Sequence, residues 1–217
     1  MAAAFEKHGF TWEPVKVHTD DGYTLTAFHV TGKVDGVHEI TRPSLVLQHC
    51  MGMDSRVWTM NMRIGENGPD PMAFQFAEMG FDVWIANNAG NPYSQVHDVY
   101  TVDDKEFWAF DWRKHGVYDF PALVTEIQSR NGGKKVALLG HSQGTTQTFA
   151  GMGIIPEWYD ANVSVAALLG PCTHPNPKFF ADLYTEENWS FLEENDIWVT
   201  NGPHWEEKRE IIISEGP

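Results

Sequence analysis

Four short apolar runs recur along the chain: 44–48 (SLVLQ), 81–86 (FDVWIA), 136–139 (VALL) and 163–169 (VSVAALL). Each is too short for a helix and lacks the polar alternation of a strand with one wet face. Runs of this kind read as strands buried on both sides. The segments between them carry helical signals. Asp70-Pro71 reads as a helix start, with Asp as cap and Pro at the first helical position. Met72, Phe76 and Met79 follow at helical spacing, and Gly80 closes that helix. Tyr118–Ile127 and Gln143–Ala150 read as two more helices. Strands alternating with helices give an α/β fold, a mainly parallel sheet with helices on both faces. Ahead of it, residues 12–30 alternate apolar and polar around Asp21-Gly22, the signal of an antiparallel hairpin.

At 217 residues, with 42% hydrophobic and 21% charged residues, the chain can bury a sizeable core of one domain. A formal net charge of −15 excludes nucleic acid and anionic lipid surfaces as general partners. No apolar run is long enough to cross a bilayer as a helix. The N-terminal stretch MAAAFEKHGFTWEP has the pattern of neither a signal nor a transit peptide. Cys50 and Cys172 show no metal-ligand spacing, and no cofactor or metal is expected. From about Asn176 the character changes: ten acidic residues against three basic ones, crowded between aromatics. We read 1–175 as the core and 176–217 as a partial lid or an acidic tail.

The segment KKVALLGHSQGTTQTFAG carries the chemistry. Gly140-His141-Ser142-Gln143-Gly144 fits G-x-S-x-G with a strand before it and a helix after it. That context puts the serine on a strained turn, with glycines where backbone must approach closely. The Gln143 amide then sits at the positive end of a helix, where an oxyanion would form. A second donor belongs on the loop after the earlier strand, His49-Cys50-Met51-Gly52. His49 reads as a brace of that loop, and Met51, Met53, Met60 and Met62 as core filling ahead of an acyl pocket.

These residues resemble the acid lipase family of α/β-hydrolases, the gastric and lysosomal lipases and their eukaryotic relatives. The matching runs are HGFTWEPVKVHTDDGYTL, SLVLQHCMGMDSRVW, PMAFQFAEMGFDVWIANNAGNPYS, DKEFWAFDWRKHGVYDFPA and GHSQGTTQTFA, from Phe5 to Pro171. The resemblance implies an α/β-hydrolase fold lacking its last strands in these residues, acting on carboxylic esters of lipids. It makes Ser142 the nucleophile and the backbone amides of Met51 and Gln143 the oxyanion hole. Two positions depart from the family pattern. Cys50 stands where relatives carry glycine, and a side chain there is expected to narrow the hole. Ala89 replaces an arginine whose role reads as structural.

A serine hydrolase also needs a histidine base and an acid that orients it, in this fold in the order Ser, Asp, His. In the family both follow the lid. Here the only later histidines are His174 and His204, and the only later aspartates Asp160, Asp182 and Asp196. Asp196 and His204 have the right order but no strand-and-loop context to carry them to Ser142, and His174 reads as a lid hinge. The residues in hand are therefore expected to be inactive alone. Either they form the N-terminal part of an ester hydrolase whose Asp and His lie elsewhere, or the fold is reused as a non-catalytic accessory subunit. The run 163–169 carries no charge or proline to blunt a sheet edge. It is expected to be covered by lid residues, by the rest of the fold or by a second polypeptide.

Overall fold

The structure, a computed structural model, describes residues 1–36, 39–60 and 70–173, together with Ser190. It opens with a short helix, α1 (Ala2–Lys7), and the expected hairpin. Strands β1 (Phe10–His18) and β2 (Tyr23–Lys33) pair antiparallel. The connecting turn is held by Thr19, whose hydroxyl donates to Asp21 and accepts the Tyr23 amide, and Gly22 supplies φ +95. Then come β3 (Ser44–Gln48), α2 (Met72–Glu78), β4 (Asp82–Ile85) and the two-residue β5 (Val96–His97). A turn of helix, α3 (Trp112–Lys114), runs through a π-helical turn at His115–Asp119 into α4 (Phe120–Asn131). The chain continues with β6 (Val136–His141), α5 (Gln143–Ile154), α6 (Pro156–Asn162) and β7 (Val163–Leu169).

The strand order is β1-β2-β4-β3-β6-β7, with β5 added to β2. Strands β4, β3, β6 and β7 are parallel to one another, β2 is antiparallel to its neighbour β4, and β1, antiparallel to β2, runs in the direction of the parallel strands. The sheet is thus mixed, with the expected parallel strands at its centre. Side chains alternate across it. Leu45, Leu47, Val83, Ile85, Ala137 and Leu139 join Phe74 and Ala73 of α2 and Phe5 of α1 in one cluster. Val46, Trp84, Val136 and Leu138 join Phe120, Leu123, Val124 and Ile127 of α4 and Tyr159 of α6 in the other. A strand buried on both faces needs apolar residues at every position, which is why these runs show no alternation. Each such large side chain contributes about 1.5–3 kcal/mol on burial.

Several expectations are corrected. Asp70 does not cap α2: Pro71 holds the N-cap position without a side-chain bond, and the Asp70 carboxylate pairs with His8 Nδ1 at 2.8 Å. The helix expected from Tyr118 becomes regular only at Phe120, because the preceding turn is π-helical. Met51, Met53 and Met60 are not core filling; they are 61%, 41% and 47% exposed, and Met62 lies outside the described residues. Helices α1 and α6 and strand β5 carry no strong local signal and were not anticipated. Strand β7 pairs only with β6 among the described residues, leaving Val165 58% and Leu169 40% exposed. The region read as lid or tail, 176–217, lies outside the described residues but for Ser190. No helix among the described residues is long and apolar enough to cross a membrane.

Candidate active site

Strands β3 and β6 are neighbours, and the connections that follow them leave in opposite directions, towards β4 and β7. At such a switch point the loops beyond the carboxyl ends of the strands separate and open a crevice. The loop after β3 (from His49) and the turn after β6 (Ser142) border it.

Ser142 has φ 52 and ψ −112, the only positive φ at a non-glycine residue among those described. Such a backbone costs about 1–3 kcal/mol and persists only where its surroundings fix it. Here the Ser142 amide donates to the Leu169 carbonyl at 2.9 Å, and its carbonyl accepts from the Thr145 amide (2.8 Å) and hydroxyl (2.6 Å). The two motif glycines make the crowding possible. A methyl group on Gly140 would stand 2.9 Å from the Gly144 carbonyl oxygen. One on Gly144 would stand 2.8 and 2.9 Å from the carbonyl oxygens of Gln48 and His49. Strand, helix and the loop after β3 thus meet backbone against backbone. The first amides of a helix have no partner within it, and that end carries the positive pole of the helix dipole. Neither the Gln143 amide nor that of Met51 donates to any described residue.

Beneath the loop lies a buried polar lattice. The His49 Nε2 accepts the Asn88 amide at 3.1 Å, so the ring proton is on Nδ1, which donates to the Cys50 carbonyl at 2.8 Å. Burial pushes the imidazole down to about 4. His49 is therefore neutral at pH 7 and both nitrogens are occupied; it braces the loop and offers Ser142 no base. Gln48 donates to Asn88 Oδ1, and Asn88 donates to Gln147 Oε1 of α5, tying β3, the end of β4 and α5 together. Asn87 accepts the Ser55 amide at 2.9 Å and so anchors the far end of the same loop. Cys50 is buried at an ordinary backbone angle, and burial raises its thiol above the usual range, which keeps it protonated. Ala89 is buried, and its amide donates to the Asp119 carboxylate, which also pairs with His115 Nδ1 at 2.9 Å.

A cavity of about 320 Å³ opens beside the serine turn, lined by Val57, Trp58, Met60, Pro71, His141 and Leu169. Its walls come from four separate segments, and of the methionines weighed for an acyl pocket Met60 lines it. The structure thus brings Ser142, Gln143 and the loop bearing Met51 to one crevice. Asp160 is exposed on α6 and accepts from Lys135 through its backbone carbonyl. His174, Asp182, Asp196 and His204 lie outside the described residues.

A sheet of this order, with a strained serine between its sixth strand and the next helix, defines an α/β-hydrolase, and the chain belongs to that family. The model of the α/β hydrolase fold matches residues 43–206, and that of a partial α/β-hydrolase lipase region matches residues 1–62. Within the family the chain is similar to acid lipases. It is 35% identical over 177 residues to human lysosomal acid lipase/cholesteryl ester hydrolase, covering 78% of this chain and 43% of that protein. It is 36% identical over 149 residues to bovine gastric triacylglycerol lipase (68% and 36% covered) and 37% over 153 residues to mouse lipase member M (70% and 35%). The chain therefore spans well under half the length of these relatives. Among solved structures, a Pyrococcus furiosus esterase superposes with TM-score 0.52 at 16% identity, covering 88% of this chain and 66% of that one. Epoxide hydrolase A from Mycobacterium thermoresistibile gives 0.50 at 18%, covering 84% and 48%. At such identities these show the fold alone.

Proposed function

We propose that these residues form the nucleophile-bearing part of a serine ester hydrolase of the acid-lipase type, acting on carboxylic esters of lipids. In this reading Ser142 attacks the ester carbonyl, and the amides of Met51 and Gln143 receive the oxyanion. The observation that carries it is the strained turn at Ser142, held at the N-terminus of α5 with an unbonded amide next to it. Strain of this kind is maintained by a network of contacts that a plain surface serine would not need. The apolar cavity beside it, with Trp58, Met60 and Leu169 in its wall, suits the hydrocarbon part of a lipid ester. The base and the acid come from outside the described residues. Without them Ser142 stays a protonated alcohol, and only oxyanion stabilisation and binding remain.

The same reading assigns the open edge of β7 to further strands, from the remainder of the fold or from a second polypeptide. A second reading, a non-catalytic accessory subunit built on this fold, draws on Cys50 in place of glycine at the oxyanion loop. A fluorophosphonate reaction separates the two. In the native assembly the probe should label Ser142, and Ser142→Ala should abolish labelling. Residues 1–217 alone should react on the order of 10³-fold more slowly or less. No labelling of Ser142 in the native assembly would favour the accessory subunit. Fast labelling of the isolated residues would mean that one of them serves as base.

A further inference from the structure

The strands have a second open end. Ser44 and Asp82 are the first residues of β3 and β4, and since Leu45 is level with Ala137 of β6 they lie at the opposite end of the strands from Ser142, roughly 20 Å away. A cavity of about 550 Å³ opens there, larger than the one beside the serine. Three cations, Arg42, Arg130 and Lys134, border it beside Asp82 and His29, in a chain whose net charge is −15.

The carboxylates Asp82, Glu13 and Glu126 equal the three cations in number, but two of the cations have no direct counter-ion among the described residues. Asp82 is the carboxylate of the lining, and its oxygens are committed. It accepts from Ser44 Oγ at 2.6 Å and from Trp84 Nε1 at 3.0 Å, and it pairs with His29 Nε2 at 2.7 Å. Arg130 is balanced by Glu13 (2.6 Å) and Glu126 (2.7 Å). Arg42 and Lys134 have no acidic partner among the described residues. The guanidinium of Arg42 is aimed by one hydrogen bond, from Nε to the Met79 carbonyl at 2.9 Å, and rests 5.4 Å from the centre of the Phe81 ring. Its terminal amino groups donate to no described residue, and neither does the ammonium of Lys134. Two cations with no direct counter-ion among the described residues, facing one cavity, form a site for an anion.

We propose that this cavity is a second ligand site, selective for a phosphate monoester and separate from the serine crevice. Two cations match a dianion, and an oriented guanidinium presents paired donors to two phosphate oxygens. The volume exceeds that of bare phosphate and leaves room for a small organic group along Ile40 and Pro43, which also line it. The acidic background of the chain repels extended polyanions, so a small ligand that reaches only the cavity is favoured.

Calorimetric titration of the full chain with glycerol 3-phosphate, with sodium chloride of matched ionic strength as the blank, tests this. Saturable binding is expected, weakened at least tenfold by Arg42→Gln and by Lys134→Ala. Arg42 also holds a backbone carbonyl, so its loss could perturb folding. Lys134 is exposed, its side chain bonds no described residue, and its variant stands by itself. No saturable binding, or equal affinity in Lys134→Ala, would overturn the proposal. The source of the phosphate is read separately by flotation with phosphatidic acid vesicles against phosphatidylcholine vesicles. Capture that is lost in Lys134→Ala assigns it to a lipid headgroup, and no capture assigns it to a soluble ester. Ser142→Ala should leave all of these results unchanged, so the site stands or falls independently of the hydrolase reading.

Discussion

At the scale of single residues, the contrast between His49 and Ser142 explains how the crevice is built. One is a potential base made inert by burial; the other is a half-buried serine held in an unfavourable backbone state. His49 also sets a pH dependence. Its folded value of about 4 lies below the ordinary histidine value near 6.5, so the unfolded chain binds the extra proton first as pH falls. Its contribution to stability is complete above that ordinary value and is lost as pH drops from there to about 4, roughly 3 kcal/mol in all. Urea unfolding at pH 7 and pH 4.5 should show this loss. His49→Gln, which keeps a donor and an acceptor but does not titrate, should flatten the slope in that window. An unchanged slope would mean that His49 is already protonated in the fold. The lowered carboxyls of Asp54 and Asp82 act in a different window. In each, burial opposes ionisation and hydrogen bonds outweigh it, so their contributions disappear only below the usual carboxylate range.

At the scale of elements, what could be read from the sequence was what is decided locally. The buried strands announced themselves because a segment covered on both faces has no polar positions, and 163–169 matches β7 end to end. The serine turn was legible because Gly140 is forced by contacts within one strand–turn–helix unit, although Gly144 is forced from outside it, by the carbonyls of Gln48 and His49. Asp70 was misread because its partner, His8, lies 62 residues earlier. Apart from Met60, the walls of the cavities were hidden for the same reason. The π-helical turn before α4 is another feature fixed by tertiary packing. It lays Gly116 against the backbone of α5, where an added methyl group would overlap the Gln147 carbonyl and press on the Gly151 amide. Backbone on both sides leaves no room to adjust. Gly116→Ala should destabilise by about 3 kcal/mol in chemical denaturation. Gly153→Ala, on the same helix α5 with nothing within 4 Å, should be neutral or slightly stabilising. Equal effects would show that the two helices are not so closely apposed.

At the scale of the whole molecule, the sheet formed by the described residues is finished on one side and open on the other. The β1 edge carries Lys16 and Glu13, whereas β7 offers unpaired backbone groups with exposed Val165 and Leu169. Residues 1–217 prepared alone should therefore self-associate through that edge. Val165→Lys should shift their sedimentation toward monomer without lowering the melting temperature; unchanged association would place the contact elsewhere. The bond from the Ser142 amide to the Leu169 carbonyl gives this edge a further meaning. The last rung of the outermost strand is also the tether of the serine's backbone. Fraying of that strand slackens residue 142 first, while the interior of the sheet is still intact. The readiness of the serine is thereby a gauge of how firmly the rim of the molecule is closed.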